Sequence, residues 1–171
     1  MGRTLFLPTS LKMVAAVGAA FLLWGLVLAY ALSPAHAAAT TFTVDRTDDP
    51  DLSTTPAAGA CTAAANDCSL RGAITAANAN SGDDTIDIQS TGTVNLTGVL
   101  PDRSTNIAIK GPGADKVTVR RSDTAKTNFR IFHVTGGSTV VSISGITISN
   151  GIGELVGGGV YNEGGLYLIH I

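Results

Sequence analysis

Residues 139–151, TVVSISGITISNG, decide the fold. Branched apolar residues alternate with serine, threonine and glycine, the period of two expected of a strand that buries one face. The same period runs from Asp84 to the end of the chain, through DTIDI, GTVNLTG, NIAIKG, KVTVRR, FRIFHV, GGVYNEGG and LYLIHI. Between these runs lie GPGAD, TGGS, SNG, GIGE and NEGG, where glycine and asparagine accept positive φ at little cost. Asn150-Gly151 is also a two-residue hairpin signal, so turn chemistry alone leaves an antiparallel sandwich open. Repetition discriminates between the two. Val141-x-Ile143 and Leu166-x-Leu168 are comparable pairs 25 residues apart. Such a period suggests a β-solenoid whose coils of about 20 to 25 residues stack on one another.

One stretch breaks the pattern. In CSLRGAITAANAN, residues 68–80, Leu70, Ala73, Ile74 and Ala77 fall at helical spacing and form one apolar stripe. Asp67 or Ser69 can cap its first turn, and Asn78, Asn80 and Gly82 supply a stop, which predicts a helix of nine to eleven residues. Gly72 lies within it and lowers helix propensity by about 1 kcal/mol relative to alanine. Before the helix, TTFTV (40–44) reads as a first strand, and DRTDDPDLSTTPAAGA after it has the acidic, aperiodic character of a loop.

The first 37 residues are of another kind. Arg3 and Lys12 precede the uncharged apolar run MVAAVGAAFLLWGLVLAYAL, and Ala35-His36-Ala37 follows it. This is the layout of a cleaved secretory signal, although the run also reaches the length of a membrane anchor. Either reading exports the remainder, as a secreted or surface protein. We therefore divide the chain into 1–37, a strand, loop and helix over 38–83, and repetitive β-structure over 84–171. Without residues 1–37, nine basic and thirteen acidic residues remain, a formal charge of −4. That balance offers no basic patch for nucleic acid, and membrane contact is expected only through the N-terminal segment. Arg120-Arg121 is the one adjacent basic pair and reads as a solvated turn. Cys61 and Cys68 are both exported, and an oxidising compartment would join them in a short staple of about 2.5 kcal/mol. Free or redox-active thiols are the alternative; a metal would need a third cysteine or a histidine nearby.

The order of these segments resembles a family. Cys68-Ser69-Leu70-Arg71-Gly72-Ala73-Ile74 is similar to the CSLREAI motif of secreted bacterial β-helix proteins. TTFTV and an acidic loop stand before it, AANAN and GDDTI after it, then GTVNLTG, IKGPGADKVTV, ISGITISNG and GGGVYNEGGLYL. The resemblance covers residues 40–171. It implies an all-β, right-handed parallel β-helix of the pectin-lyase-like type, with the cysteine-flanked helix as an N-terminal cap. It further implies kinship with polymorphic outer-membrane proteins and autotransporter passengers, large surface repeats generally without an assigned enzymatic activity. Gly72 stands where the family has glutamate, so a weaker cap is expected, one that Gly72→Glu or Gly72→Ala should stabilise. Arg71 is assigned to capping contacts, its stem packed and its head solvated.

Candidate chemistry is sparse. The resemblance brings in polysaccharide lyases, which hold calcium on aspartates, and Asp83, Asp84 and Asp87 are the weak candidates for such a site. A Gly-Asp turn explains them better, so no metal and no cofactor is expected. His133 and His170 lie in strands without a carboxylate partner in the local sequence, and no G-x-S-x-G is present; no catalytic residue is assigned. Gly157-Gly158-Gly159 lacks the Lys-Ser/Thr of a phosphate loop. Asn150 and Asn162 are read as turn asparagines whose amides satisfy backbone groups. The chain stops inside LYLIHI, an apolar strand without a cap, after room for three to four coils. Hence the expectation of the N-terminal fragment of a longer repeat protein, with edge-to-edge self-association through the open end. The functional expectation is a non-enzymatic module for adhesion, display or structure, with an unidentified surface or glycan ligand. A lyase or glycoside hydrolase on the same fold is the alternative.

Overall fold

The structure, a computed structural model, describes residues 38–171; the segment expected to be a signal or anchor lies outside the described residues. Ten strands alternate with short corners: β1 (Thr41–Val44), β2 (Asp84–Ile88), β3 (Gly92–Leu96), β4 (Ile107–Lys110), β5 (Val117–Arg121), β6 (Phe132–Val134), β7 (Val140–Ser144), β8 (Thr147–Ser149), β9 (Val160–Asn162) and β10 (Gly165–Ile169). They form three sheets in the orders β1-β2-β4-β7-β10, β3-β5-β8 and β6-β9. Every pairing between these strands is parallel. The chain therefore visits three faces in turn and returns one rung further on, a parallel β-solenoid of about three turns. The Asn150-Gly151 hairpin and the antiparallel sandwich do not form; the antiparallel contact among the described residues is an isolated bridge between Gly59 and Cys68.

Asp84, Ile107, Val141 and Leu166 are successive register partners, so the coils take 23, 34 and 25 residues. The repeat read from Val141-x-Ile143 and Leu166-x-Leu168 is the true register of the last two rungs. The middle coil is longer because residues 122–131 bulge between β5 and β6. In-register stacking puts like on like inside. Phe42, Ile86, Ile109, Ile143 and Leu168 form one continuous row, and its three isoleucines are fully buried. Each such isoleucine is worth about 1.5 to 3 kcal/mol relative to exposure.

TVVSISGITISNG is two strands rather than one. Gly145 breaks it at φ +64, and Gly111 occupies the same corner of the coil before. A Cβ on either would run into the other's carbonyl, so this corner requires both glycines. Gly113 N–H in turn donates to Gly145 O at 3.0 Å, tying the corners together.

The one α-helix among the described residues, α1 (Leu70–Ala79), packs against β1 and β2. Ser69 is its N-cap, with the hydroxyl accepting from Gly72 N–H at 3.1 Å, and Leu70, Ala73, Ile74 and Ala77 are buried as the stripe predicts. Asp67 is not the cap; it accepts from the backbone and hydroxyl of Thr62 at 3.0 and 2.5 Å.

Candidate functional site

Around α1 the acidic loop is pinned from both sides. Cys61 and Cys68 form a disulfide. Arg71 makes a two-pronged ion pair with Asp49, Nε to Oδ1 and Nη2 to Oδ2, both at 2.7 Å, and also donates to the carbonyls of Val99 and Gly98. The Asp49 side chain is almost wholly buried and accepts from the Thr97 backbone at 2.9 Å as well. Arg71 thus binds loop, helix and the β3–β4 connection into one unit. Its head is paired, not solvated as expected. On the loop's outer side Arg46 grips Asp48 through two 2.6 Å bonds, which hold the Asp48 carboxyl below the usual carboxylate range.

The three candidate calcium aspartates do not converge. Asp84 points inward and accepts from Thr40 N–H at 2.9 Å and from the Asn80 amide at 2.7 Å. Asp83 accepts from the Asn106 amide at 2.9 Å, and Asp87 from Gln89 at 3.1 Å. Of the three, Asp84 alone ties the helix end to the first strands, and among the described residues no group of three acidic, histidine or cysteine side chains is placed to hold a metal. Asn150 adopts φ 59 and reaches back one coil, its amide donating to Arg121 O and to Asp123, each at 2.9 Å. Asn162 closes its own turn by accepting from Gly164 N–H and donating to Gly164 O. Arg120 and Arg121 end strand β5 instead of forming a turn. Arg120 pairs with Asp123, and Arg121 donates to Thr127 O and Ser122 O.

The largest sheet carries an open groove of about 380 Å³ across its outer face, lined by Asp83, Thr85, Asn106, Ala108, Val140 and Ser142. Thr85, Ala108, Ser142 and Tyr167 are register partners, so the row that floors the groove runs on to a tyrosine 61% exposed. Rungs lie about 4.8 Å apart. The Thr85 and Ser142 hydroxyls, the Ala108 methyl and the Tyr167 ring therefore line up along the solenoid axis, one per rung, with Asp83 and Asn106 at the side of the row.

Two arrangements escaped sequence reasoning. Arg103 is fully buried at the third face of the first coil, opposite Val134, with its guanidinium 5.3 Å from the Phe132 ring. None of its three side-chain nitrogens has a partner among the described residues, and burial pushes its pKa down to about 10. No sequence signal marks an arginine as inward-facing when its strand is a single bridge. His133, assigned no carboxylate partner, has two: Asp102 and Glu163, 31 and 30 residues away. Neither separation equals the 25-residue repeat legible in the sequence, so no sequence signal marked the pairing.

These features define a capped parallel β-solenoid with polar outer rows. In comparisons with known proteins no family model matches the chain, and no significant match is found among curated proteins or among solved structures.

Proposed function

We propose that the chain is an exported, non-enzymatic β-solenoid module that serves adhesion or display at a cell surface, with a glycan as ligand. The observation that carries this reading is the row Thr85, Ala108, Ser142 and Tyr167 along an open groove on a rigid sheet. Such a groove offers hydroxyls and amides to a polar chain and an exposed ring for a sugar face to stack on. The signal-like residues 1–37 and the resemblance of residues 68–74 to the CSLREAI motif support export and the surface role. The lyase alternative has weaker support, because Asp84 turns into the protein and Asp83 is engaged by Asn106. Binding of the purified chain to immobilised surface polysaccharides tests the proposal. Saturable binding that Tyr167→Ala weakens about tenfold is expected, and flat curves across a broad panel would remove its basis.

A further inference from the structure

The third face of the solenoid lines up one ionisable side chain from each of three successive coils. His133 in β6 meets Asp102 of the preceding coil through Nδ1, 2.9 Å from Oδ1, and Glu163 of the following coil through Nε2, 3.2 Å from Oε2. Tyr161 stacks on the imidazole with centroids 5.0 Å apart, and its hydroxyl donates to Glu163 Oε1 at 3.2 Å. The Arg130 guanidinium lies 4.6 Å from the Tyr161 ring. Arg103 lies on the inner side of the same face, bridged to Val134. The imidazole is 20% exposed, the two carboxylates about half.

Counting donors shows what this geometry requires. A neutral imidazole has one N–H, and its other nitrogen presents a lone pair. Facing an ionised carboxylate, that lone pair makes no hydrogen bond. Only the imidazolium donates to both neighbours at once.

We infer that Asp102, His133 and Glu163 form a proton-dependent clasp across three coils. With both ring nitrogens protonated, the first, second and third coils are tied in one row. Loss of one proton releases one of the two links. The clasp acts where ladder bonding is thinnest, since β6 and β9 are three residues each and form a two-stranded sheet. The inference is independent of the ligand proposed above.

Thermal unfolding of the purified chain at about pH 5.5 and about pH 8, with His133→Gln, Asp102→Asn and Glu163→Gln, tests it. His133→Gln should lower Tm by roughly 3 °C at the acid pH and by less than half of that at the alkaline pH. Each carboxylate variant should give a smaller acid-side drop. An equal drop at both pH values would reduce the row to packing, and no drop would show that the links carry nothing; either overturns the clasp. Should His133→Gln fail to fold, the carboxylate variants decide, and an unchanged difference between acid and alkaline Tm in both would overturn it equally.

Discussion

Gly72 of the cap helix lies against Gly59 so closely that a Cβ on Gly72 would stand 2.6 Å from Gly59 Cα and 2.8 Å from Ala58 O. The sequence suggested a weak point that alanine or glutamate would repair. The structure reverses the sign. Alanine would gain about 1 kcal/mol of helix propensity, but forcing a side chain against fixed backbone costs about 1 to 3 kcal/mol. Gly72→Ala should therefore lower the urea midpoint modestly and Gly72→Glu more severely. A raised midpoint in either variant would contradict this packing.

Arg71 and Asp49 should behave as an inseparable pair. Removing one member strands the other in a site where the carboxylate is 1% exposed, a loss of about 3 to 5 kcal/mol. Arg71→Lys keeps the charge but not the fork that fits two carboxylate oxygens, so it should recover little of the loss. Equilibrium denaturation of Asp49→Asn, Arg71→Ala and Arg71→Lys checks this. A lysine variant as stable as the parent would mean that charge alone suffices.

Arg103 should be replaceable with profit. A buried guanidinium without a partner opposes folding, and a methionine of similar length would fill the space against Phe132. Arg103→Met should stabilise by about 1 to 4 kcal/mol. The pH dependence has a definite sign. Because burial depresses the folded-state pKa to about 10, the penalty is constant at neutral pH and is relieved only as pH rises past about 10. The gain from Arg103→Met should accordingly be the same at about pH 6 and about pH 8 in denaturant titrations. A destabilised variant would show that the cation holds the third face in place.

The disulfide should act locally. Replacing Cys61 and Cys68 together by alanine removes a short closed loop, with an expected loss of about 2.5 kcal/mol. Hydrogen exchange should quicken in α1 and the loop before it while the rows of β4 and β7 keep their protection. Uniform loss of protection would mean that cap and coils unfold as one.

Some of this was legible because it depends on near neighbours in the chain. The alternation in 84–88, 107–110 and 140–144 dictates which side chains point inward, and the 25-residue repeat of Val141 and Leu166 gives the register of the last two rungs. The stripe in residues 70–77 marked the helix and the face it buries. Those readings need only the periods of strand and helix. Arg71 was placed in the cap without its partner, because Asp49 lies 22 residues away across an aperiodic loop.

The sequence by itself thus determined repetitive β-structure preceded by one amphipathic helix, since hydrophobic period is a local property, and its 25-residue repeat suggested the solenoid that the parallel pairing decided. Only the tertiary structure decided that Gly72 must stay small, that Arg103 faces inward and that His133 stands between two carboxylates. The physical reason is coil length. Coils of 23, 34 and 25 residues bring together groups whose separation follows no fixed period, and contact between them exists only once the rungs are stacked.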